Sequence, residues 1–175
     1  MGMACIIQAL TAPQIAALRG NPDLTWQVLT AHENKTSKAP FEEPLCEELE
    51  LDKSWSILQY LLQRIAEEID SYEELISGDP IGEPGDYYGP YLRDIADTGK
   101  LAAFLDPLTV DQLLTYFDGA EMEEQGVYFM GYENVEEDEE IERELHEYAG
   151  HHFVALREYV LKAAASGCGL LLLVN

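Results

Sequence analysis

The sequence predicts an α+β domain in which a small sheet joins the N- and C-terminal strands and is packed by several helices. Apolar runs of strand length lie near both ends of the chain, at 3–9 and 170–174. Between them, apolar residues recur mostly at the three- and four-residue spacing of helices. Two terminal strands separated by helices can bury their apolar faces by pairing beneath a helical layer.

The first strand is predicted to lead directly into a helix. Two adjacent isoleucines mark the run 3–9 as a buried strand. Thr11 fits the N-cap of the following helix, Pro13 its first turn and Gly20 its end. A second short helix is then predicted at 21–29.

Trp26 is expected to turn inward from this second helix, and the polar segment 31–44 to form an exposed loop. The strongest helical pattern covers 51–69, and the sequence leaves open whether that helix continues through 72–76. Its apolar residues stand three, four or seven positions apart: Leu51, Trp55, Leu58, Leu62, Ile65 and Ile69.

Four glycines and two prolines indicate irregular structure at 78–89. A helix with an interruption at Gly99 is predicted at 92–105, and Thr109 with Gln112 fits a capping box for the next helix. Segment 127–132 fits either a strand or an extended edge.

The longest helix is predicted at 136–166, with Gly167 as its C-terminal glycine and the run 170–174 as the closing strand. Its predicted inward stripe is Ile141, Leu145, Tyr148, His152, Leu156, Tyr159 and Ala163.

Several short motifs, taken in order, resemble the YfbM-like family of bacterial proteins of unknown function. They are Met1-Gly2-Met3, Asp52-Lys53-x-Trp55, Gly78-Asp79-Pro80, Tyr88-Gly89-Pro90, Phe117-Asp118 and the last helix with its apolar strand. The resemblance implies one α+β domain over 1–175, with segment 63–77 as an insertion. It supplies no substrate, cofactor or catalytic set. Gln59 stands where such proteins commonly carry His, so an acid–base role for that His is absent here.

The formal net charge of −24 is the dominant physical property of the chain. Such a surface repels nucleic-acid phosphates and anionic membranes, and it attracts basic proteins. No apolar run approaches the roughly 20 residues of a membrane helix. The start of the chain lacks the pattern of a signal peptide, which favours a cytoplasmic location.

The three cysteines, Cys5, Cys46 and Cys168, show no metal-binding spacing. An odd number without a signal peptide favours a reducing compartment. Cys5 and Cys168 lie in apolar strand-like runs and are expected to be buried and reduced. Pairing of the terminal strands would bring these two thiols near each other.

The acidic segment 121–147 contains twelve acids and a single base, Arg143. Carboxylates at the start of a helix interact favourably with its macrodipole, so an acidic run is tolerated there. The candidate contacts for a basic protein partner are Glu136, Glu137, Glu139 and Glu140.

A second group of residues is a candidate small-ligand site. It combines the helix start at Asp52 with the tyrosines of the glycine-rich loop 78–91. The structural alternative places Trp55 in the core and makes the loop an ordinary turn. The candidate residues are Asp52, Lys53, Trp55, Gln59, Tyr87, Tyr88 and Tyr91.

Known catalytic and metal motifs do not account for the remaining polar residues. The loop 78–91 lacks the spacing of an EF-hand and the ending of a phosphate loop. His146, His151 and His152 are five and six apart, which does not fit the paired histidines of a zinc helix. The sequence therefore assigns no catalytic residue, metal or cofactor.

Three functions remain open at this point. The leading one is a non-enzymatic, inhibitor-like binding or regulatory domain for a basic protein. The second is a small enzyme or ligand-binding protein with a pocket near Trp55 and the tyrosine loop. The third is a housekeeping domain whose charge serves solubility. The oligomeric state is not encoded in these patterns.

Overall fold

The two ends of the chain pair at the centre of a five-stranded antiparallel sheet. A computed structural model describes residues 3–29, 46–69, 75–82, 88–128, 135 and 138–174. The strand order is β2-β1-β5-β4-β3. The strands are β1 Cys5–Leu10, β2 Glu48–Asp52, β3 Asp79–Pro80, β4 Tyr88–Arg93 and β5 Gly169–Val174. The predicted α+β class, with a sheet joining the termini, is confirmed.

Helices cover both faces of this sheet. They are α1 Ala12–Gly20, α2 Leu24–Leu29, α3 Trp55–Glu68, α4 Ile95–Leu105, α5 Val110–Leu114, α6 Gly119–Glu124 and α7 Glu139–Ala165. Leu170 and Leu172 of β5 belong to a large apolar cluster with α3, α4 and α7, whereas Leu171 and Leu173 belong to a smaller one with α1. Alternate side chains of a strand point to opposite faces, so both faces of β5 are buried.

Two helix starts follow the predicted capping chemistry. The backbone N–H of Thr11 donates to Oε1 of Gln14 at 2.9 Å. In α5, the backbone N–H of Thr109 donates to Oε1 of Gln112 at 2.9 Å, and the Gln112 N–H donates to the Thr109 hydroxyl at 3.2 Å. Each reciprocal pair satisfies backbone groups that a helix end leaves without partners.

The long helix α7 ends as predicted, with Gly167 at a φ of 66° just beyond its last turn. Its start is capped by Asp138, whose carboxylate accepts from the N–H groups of Glu140 and Ile141. The buried stripe is rotated slightly from the predicted one, because Phe153 and Val160 take the innermost positions and leave His152 and Tyr159 half-buried. The full set of buried residues is Leu145, Ala149, Gly150, Phe153, Leu156, Val160 and Ala163.

The prediction of one helix over 51–69 is wrong at both ends. Leu51 and Asp52 end strand β2, and the helix begins only at Trp55. Leu51 is fully buried, as the apolar pattern predicted, but it is buried as part of strand β2 and not of a helix. Ile69 lies just past the helix and is 59% exposed.

The predicted inward position of Trp26 is also wrong, since its side chain is 44% exposed. The six-residue helix α2 buries Thr25 and Val28 instead. Thr25 and Val28 share one helical face. Trp26 directly follows Thr25, so its side chain is turned about 100° away from that of Thr25.

The region 88–105 differs from its predicted loop and helix. Residues Tyr88–Arg93 form β4, which carries a bulge at Gly89 and Pro90, and α4 begins at Ile95 and runs through Gly99 without a break. A Cβ at Gly89 would stand 3.0 Å from the carbonyl oxygen of Leu172, and Gly89 has a φ of 101°, so this strand needs glycine there.

Helix α6 was not predicted. Several other predictions lie outside the described residues. These are the loop 31–44, residues 72–74 of the possible continuation at 72–76, and most of the edge 127–132. Leu75 and Ile76, the described end of that continuation, form a bend and not a helix. The insertion at 63–77 stays a prediction. In the part of the chain that the structure describes, no helix is both long enough and apolar enough to cross a bilayer.

Cys5 and Cys168 are buried free thiols, as predicted. Their expected proximity is wrong. Cys5 stands opposite Val174 at one end of the β1–β5 ladder, whereas Cys168 precedes Gly169, the partner of Leu10 at the other end. The reason is that the two strands run antiparallel, so the start of β1 meets the end of β5.

We expect Trp55→Ala to lower the free energy of unfolding by about 3–5 kcal/mol, as for other large core truncations. Trp55 is 9% exposed, and its Nε1 donates to the carbonyl oxygen of Met3 at 3.0 Å. Urea unfolding of parent and variant measures the loss, and Trp55→Phe, which keeps a ring, is expected to lose less. Coincident midpoints for Trp55→Ala and the parent would contradict the core assignment.

Candidate functional site: the Asp52 turn and the outer face of α7

Asp52 ends β2 in a conformation that few residues other than glycine adopt. Its φ is 45°, and the chain then turns through Lys53 and Ser54 into α3. The Ser54 hydroxyl donates to the Leu51 carbonyl oxygen at 2.6 Å, which closes the turn. Aspartate is among the side chains that tolerate this left-handed region best, yet the conformation still costs free energy. Contacts from elsewhere must therefore hold Asp52 in place.

Tyr148 of α7 provides that contact. Its hydroxyl donates to Oδ2 of Asp52 at 2.8 Å and accepts from the backbone N–H of Lys53 at 3.3 Å. The pair is separated by 96 positions in sequence, so no local pattern reveals it. Because Tyr148 reads as one more member of an apolar stripe, sequence reasoning missed its polar role.

Two histidines extend this cluster along α7. The rings of Tyr148 and His152 pack edge to face with centroids 4.5 Å apart, and those of His152 and exposed His151 are 5.4 Å apart. Burial and the Asp52 carboxylate raise the pKa of Tyr148 to about 12. Burial and His151 lower the pKa of His152, against the opposing pull of Asp52 and Glu50. At neutral pH Tyr148 is thus protonated and donates a hydrogen bond, and the neutral form of His152 is favoured.

The other candidate ligand residues near Asp52 have structural partners. Trp55 is almost completely buried and bonds to the Met3 carbonyl oxygen. Oε1 of Gln59 accepts from the backbone N–H of Ile76 at 2.8 Å, which fastens the segment before β3 to α3. Lys53 is half-exposed, so it remains the residue of this group best placed to meet a ligand.

Tyr88, the described tyrosine at the start of β4, lies at the same end of the sheet as Asp52 but three strands away. One row across the sheet runs from Asp52 to Cys5, Val174 and Tyr88. Three strand spacings of about 4.8 Å separate the ends of this row by roughly 14 Å of backbone. Tyr91 is half-exposed on β4, and Tyr87 lies outside the described residues. A shared pocket for these residues stays a prediction.

The outer face of α7 carries a row of charged side chains. Between Glu140 and Glu158 its exposed positions recur three or four apart, with Arg143 and Glu144 adjacent, and therefore form one stripe. They are Glu140, Arg143, Glu144, Glu147, His151, Val154 and Glu158. From Glu140 to Glu158 the stripe is about 27 Å long at the helical rise of 1.5 Å per residue. Arg143 pairs with Glu140 at 3.7 Å, so the stripe stays net negative.

An apolar side chain lies within this acidic stripe. Val154 is 42% exposed between His151 and Glu158. Of the predicted partner contacts, Glu139 and Glu140 are exposed in the first turn of α7. Glu136 and Glu137 lie outside the described residues, so their role stays a prediction.

The described residues contain no group of three or more His, Cys, Asp or Glu side chains arranged to hold a metal ion. His146 is the first of the three histidines whose spacing was compared with that of a zinc helix. Its ring packs edge to face on the ring of Phe117, with centroids 4.3 Å apart, and its Nε2 lies 3.8 Å from Oε1 of Glu142. Its surroundings are therefore a helix face and an aromatic neighbour.

We expect Tyr148→Phe to lower the free energy of unfolding by about 1.5 kcal/mol, at the low end for hydrogen bonds to charged groups because the site is partly exposed. Urea unfolding of the single and double variants checks it. In an Asp52→Ala background the same change is expected to cost much less, because the acceptor is gone. Equal costs in both backgrounds would show that the bond contributes nothing.

We expect the stability that neutral His152 provides to be lost as pH falls below about 6.5. The folded pKa of His152 lies below its ordinary value of 6.5, so the unfolded chain binds this proton more readily. Unfolding free energies of the parent and of His152→Gln are compared at pH 7.5 and 5.5. The advantage of the parent should shrink at the lower pH. An advantage that is constant or grows would contradict the assignment.

Comparison with known proteins agrees with the fold and assigns no activity. No curated protein matches the chain. A solved structure described as a protein of unknown function, YfbM from Escherichia coli, is similar with a TM-score of 0.67 and 16% sequence identity. The match covers 98% of this chain and 99% of that chain. Residues 1–173 match the family described as a domain of unknown function (DUF1877), and the chain belongs to that family.

Proposed function

We propose that this protein is a non-enzymatic, cytosolic binding or regulatory module that engages a basic protein through the outer face of α7. The observation that carries the proposal is the acidic stripe from Glu140 to Glu158 with Val154 exposed within it. Charges around an apolar contact are the arrangement of many protein interfaces, in which the polar rim surrounds a drier centre.

The negative charge of this surface supports a role in attracting a basic protein. A net charge of −24 creates a negative field that attracts basic proteins before contact. Charges at the rim of an interface act mainly on the rate of encounter, and an inhibitor-like protein benefits from fast association. The stripe lies on a 27-residue helix whose opposite face is packed in the core, so binding needs no rearrangement of the fold.

A small-ligand site at the Asp52 turn is the second candidate. The left-handed conformation of Asp52 and its bond to Tyr148 support it, because strained residues often occur at functional sites. The burial of Trp55 argues against an open aromatic wall. The acidic face of α7 is therefore the better supported of the two.

We expect replacement of Glu144, Glu147 and Glu158 by Gln to slow association with the partner and to flatten its salt dependence. The partner is first captured from native cytosol on the immobilised protein at low salt and eluted at high salt. Association and dissociation rates are then measured over a range of salt concentrations. Exposed charges are screened beyond about 8 Å at physiological ionic strength, so the parent should lose rate steeply.

A matched control removes the same charge elsewhere. Asp23, Asp111 and Glu124 are exposed and lie off α7, and their replacement by Asn or Gln should change association much less. A second variant replaces the candidates Glu136, Glu137, Glu139 and Glu140 by Gln to test the N-terminal end of the stripe. Equal rates for α7 and control variants would contradict the proposed surface.

A further inference from the structure

Cys46 and Cys168 line one cavity that the preceding functions do not use. The cavity has a volume of about 420 Å³ and lies where the C-terminal part of α7 passes over the end of β1. Its walls include both cysteines together with Tyr159, Lys162 and Glu48. The 122 positions between Cys46 and Cys168 hide this pairing from sequence analysis.

The backbone around the cavity is fastened on both sides. The Tyr159 hydroxyl accepts from the N–H of Ala9 at 2.7 Å and donates to the Glu47 carbonyl oxygen at 2.9 Å. The side-chain amide of Gln8 donates to the Cys46 carbonyl oxygen at 3.0 Å. These bonds hold the segment before β2 against β1, and thereby hold Cys46 near the start of β5.

The two thiols differ in exposure. Cys46 is exposed two residues before β2, whereas Cys168 is buried directly before β5. Burial, and then the adjacent Cys46 side chain, raise the pKa of Cys168. An incoming reagent therefore meets Cys46 first, and Cys168 stands behind it as an internal thiol.

We propose that Cys46 and Cys168 are an oxidation site that forms a reversible intramolecular disulfide. The oxidant is a small-molecule disulfide such as glutathione disulfide. The Cys46 thiolate attacks one of its sulfurs, forms a mixed disulfide and releases one thiol. The Cys168 thiolate then attacks the Cys46 sulfur, forms the protein disulfide and releases the second thiol. Two protein thiols are thus oxidised while one small disulfide is reduced to two thiols.

Cys5 is an internal control in the same chain. It is completely buried at the other end of the β1–β5 ladder, and burial raises its pKa. It has neither the exposure of Cys46 nor a position at the cavity. In a reducing compartment such a disulfide is transient and responds to the redox state, which separates it from a permanent structural crosslink.

The experiment treats the native protein with glutathione disulfide, blocks free thiols and maps the disulfides by mass spectrometry. The expected product has lost two hydrogens and joins the Cys46 and Cys168 peptides, with Cys5 unmodified. Dithiothreitol restores the reduced mass. The crosslink closes a loop of more than one hundred residues, so we expect Tm to rise by about 5–10 °C until it is reduced.

Single variants separate the two steps. Cys168→Ser is expected to retain one glutathione on Cys46, because no thiol remains at the cavity to displace it and Cys5 lies at the other end of the ladder. Cys46→Ser is expected to stay unmodified, and Cys5→Ser to behave as the parent does. A glutathione that persists on Cys46 of the parent, a disulfide between two molecules, or no reaction at Cys46 would each overturn the proposal. The parent's disulfide map decides the matter even where a variant fails to fold.

Discussion

The pairing of β1 with β5 is the constraint on which the rest of the structure depends. Six residues of each strand match in unbroken antiparallel register, and β5 has another neighbour, β4, on its far side. All six residues of β5 are buried, so its leucines must be covered on both faces. That requirement places α1 on one face and α3, α4 and α7 on the other. Burial of this central strand is the main hydrophobic contribution that joins the two ends of the chain.

Helix α7 serves the core and the surface at the same time. Its inner residues fill the large apolar cluster, and Gly150 lets it approach α5 so closely that a Cβ would stand 3.0 Å from a methyl group of Val110. Tyr148 reaches from the flank of the same helix to Asp52 and stabilises the turn into α3. The outer face of α7 carries the charged side chains of the acidic stripe. A rigid support of this kind holds an interaction surface in place without a loss of chain entropy on binding.

The proposed binding surface and the proposed thiol site lie on different parts of α7. The acidic stripe ends at Glu158, whereas the cavity begins at Tyr159 and extends to the turn before β5. The acidic stripe acts over a distance through the electric field of the protein. The thiol site depends on the short hydrogen bonds from Gln8 and Tyr159 that hold the segment before β2. Failure of either proposal therefore leaves the other standing.

Local sequence patterns were sufficient for the α+β class, the terminal strands, the N-cap at Thr11, the capping box of Thr109 with Gln112 and the end of α7. Each of these rests on neighbours in sequence, as with Thr109 and Gln112 or the glycine at 167. The tertiary structure decided what local patterns leave ambiguous. Leu51 suits a helix or a strand until its neighbours Glu50 and Asp52 pair with β1, and Leu92 becomes a strand residue because Leu171 stands beside it. The hydrogen bond from Tyr148 to Asp52 and the cavity that Cys46 and Cys168 share likewise join distant segments. Local patterning specifies which residues are apolar, whereas packing of distant segments selects the partner that buries each one.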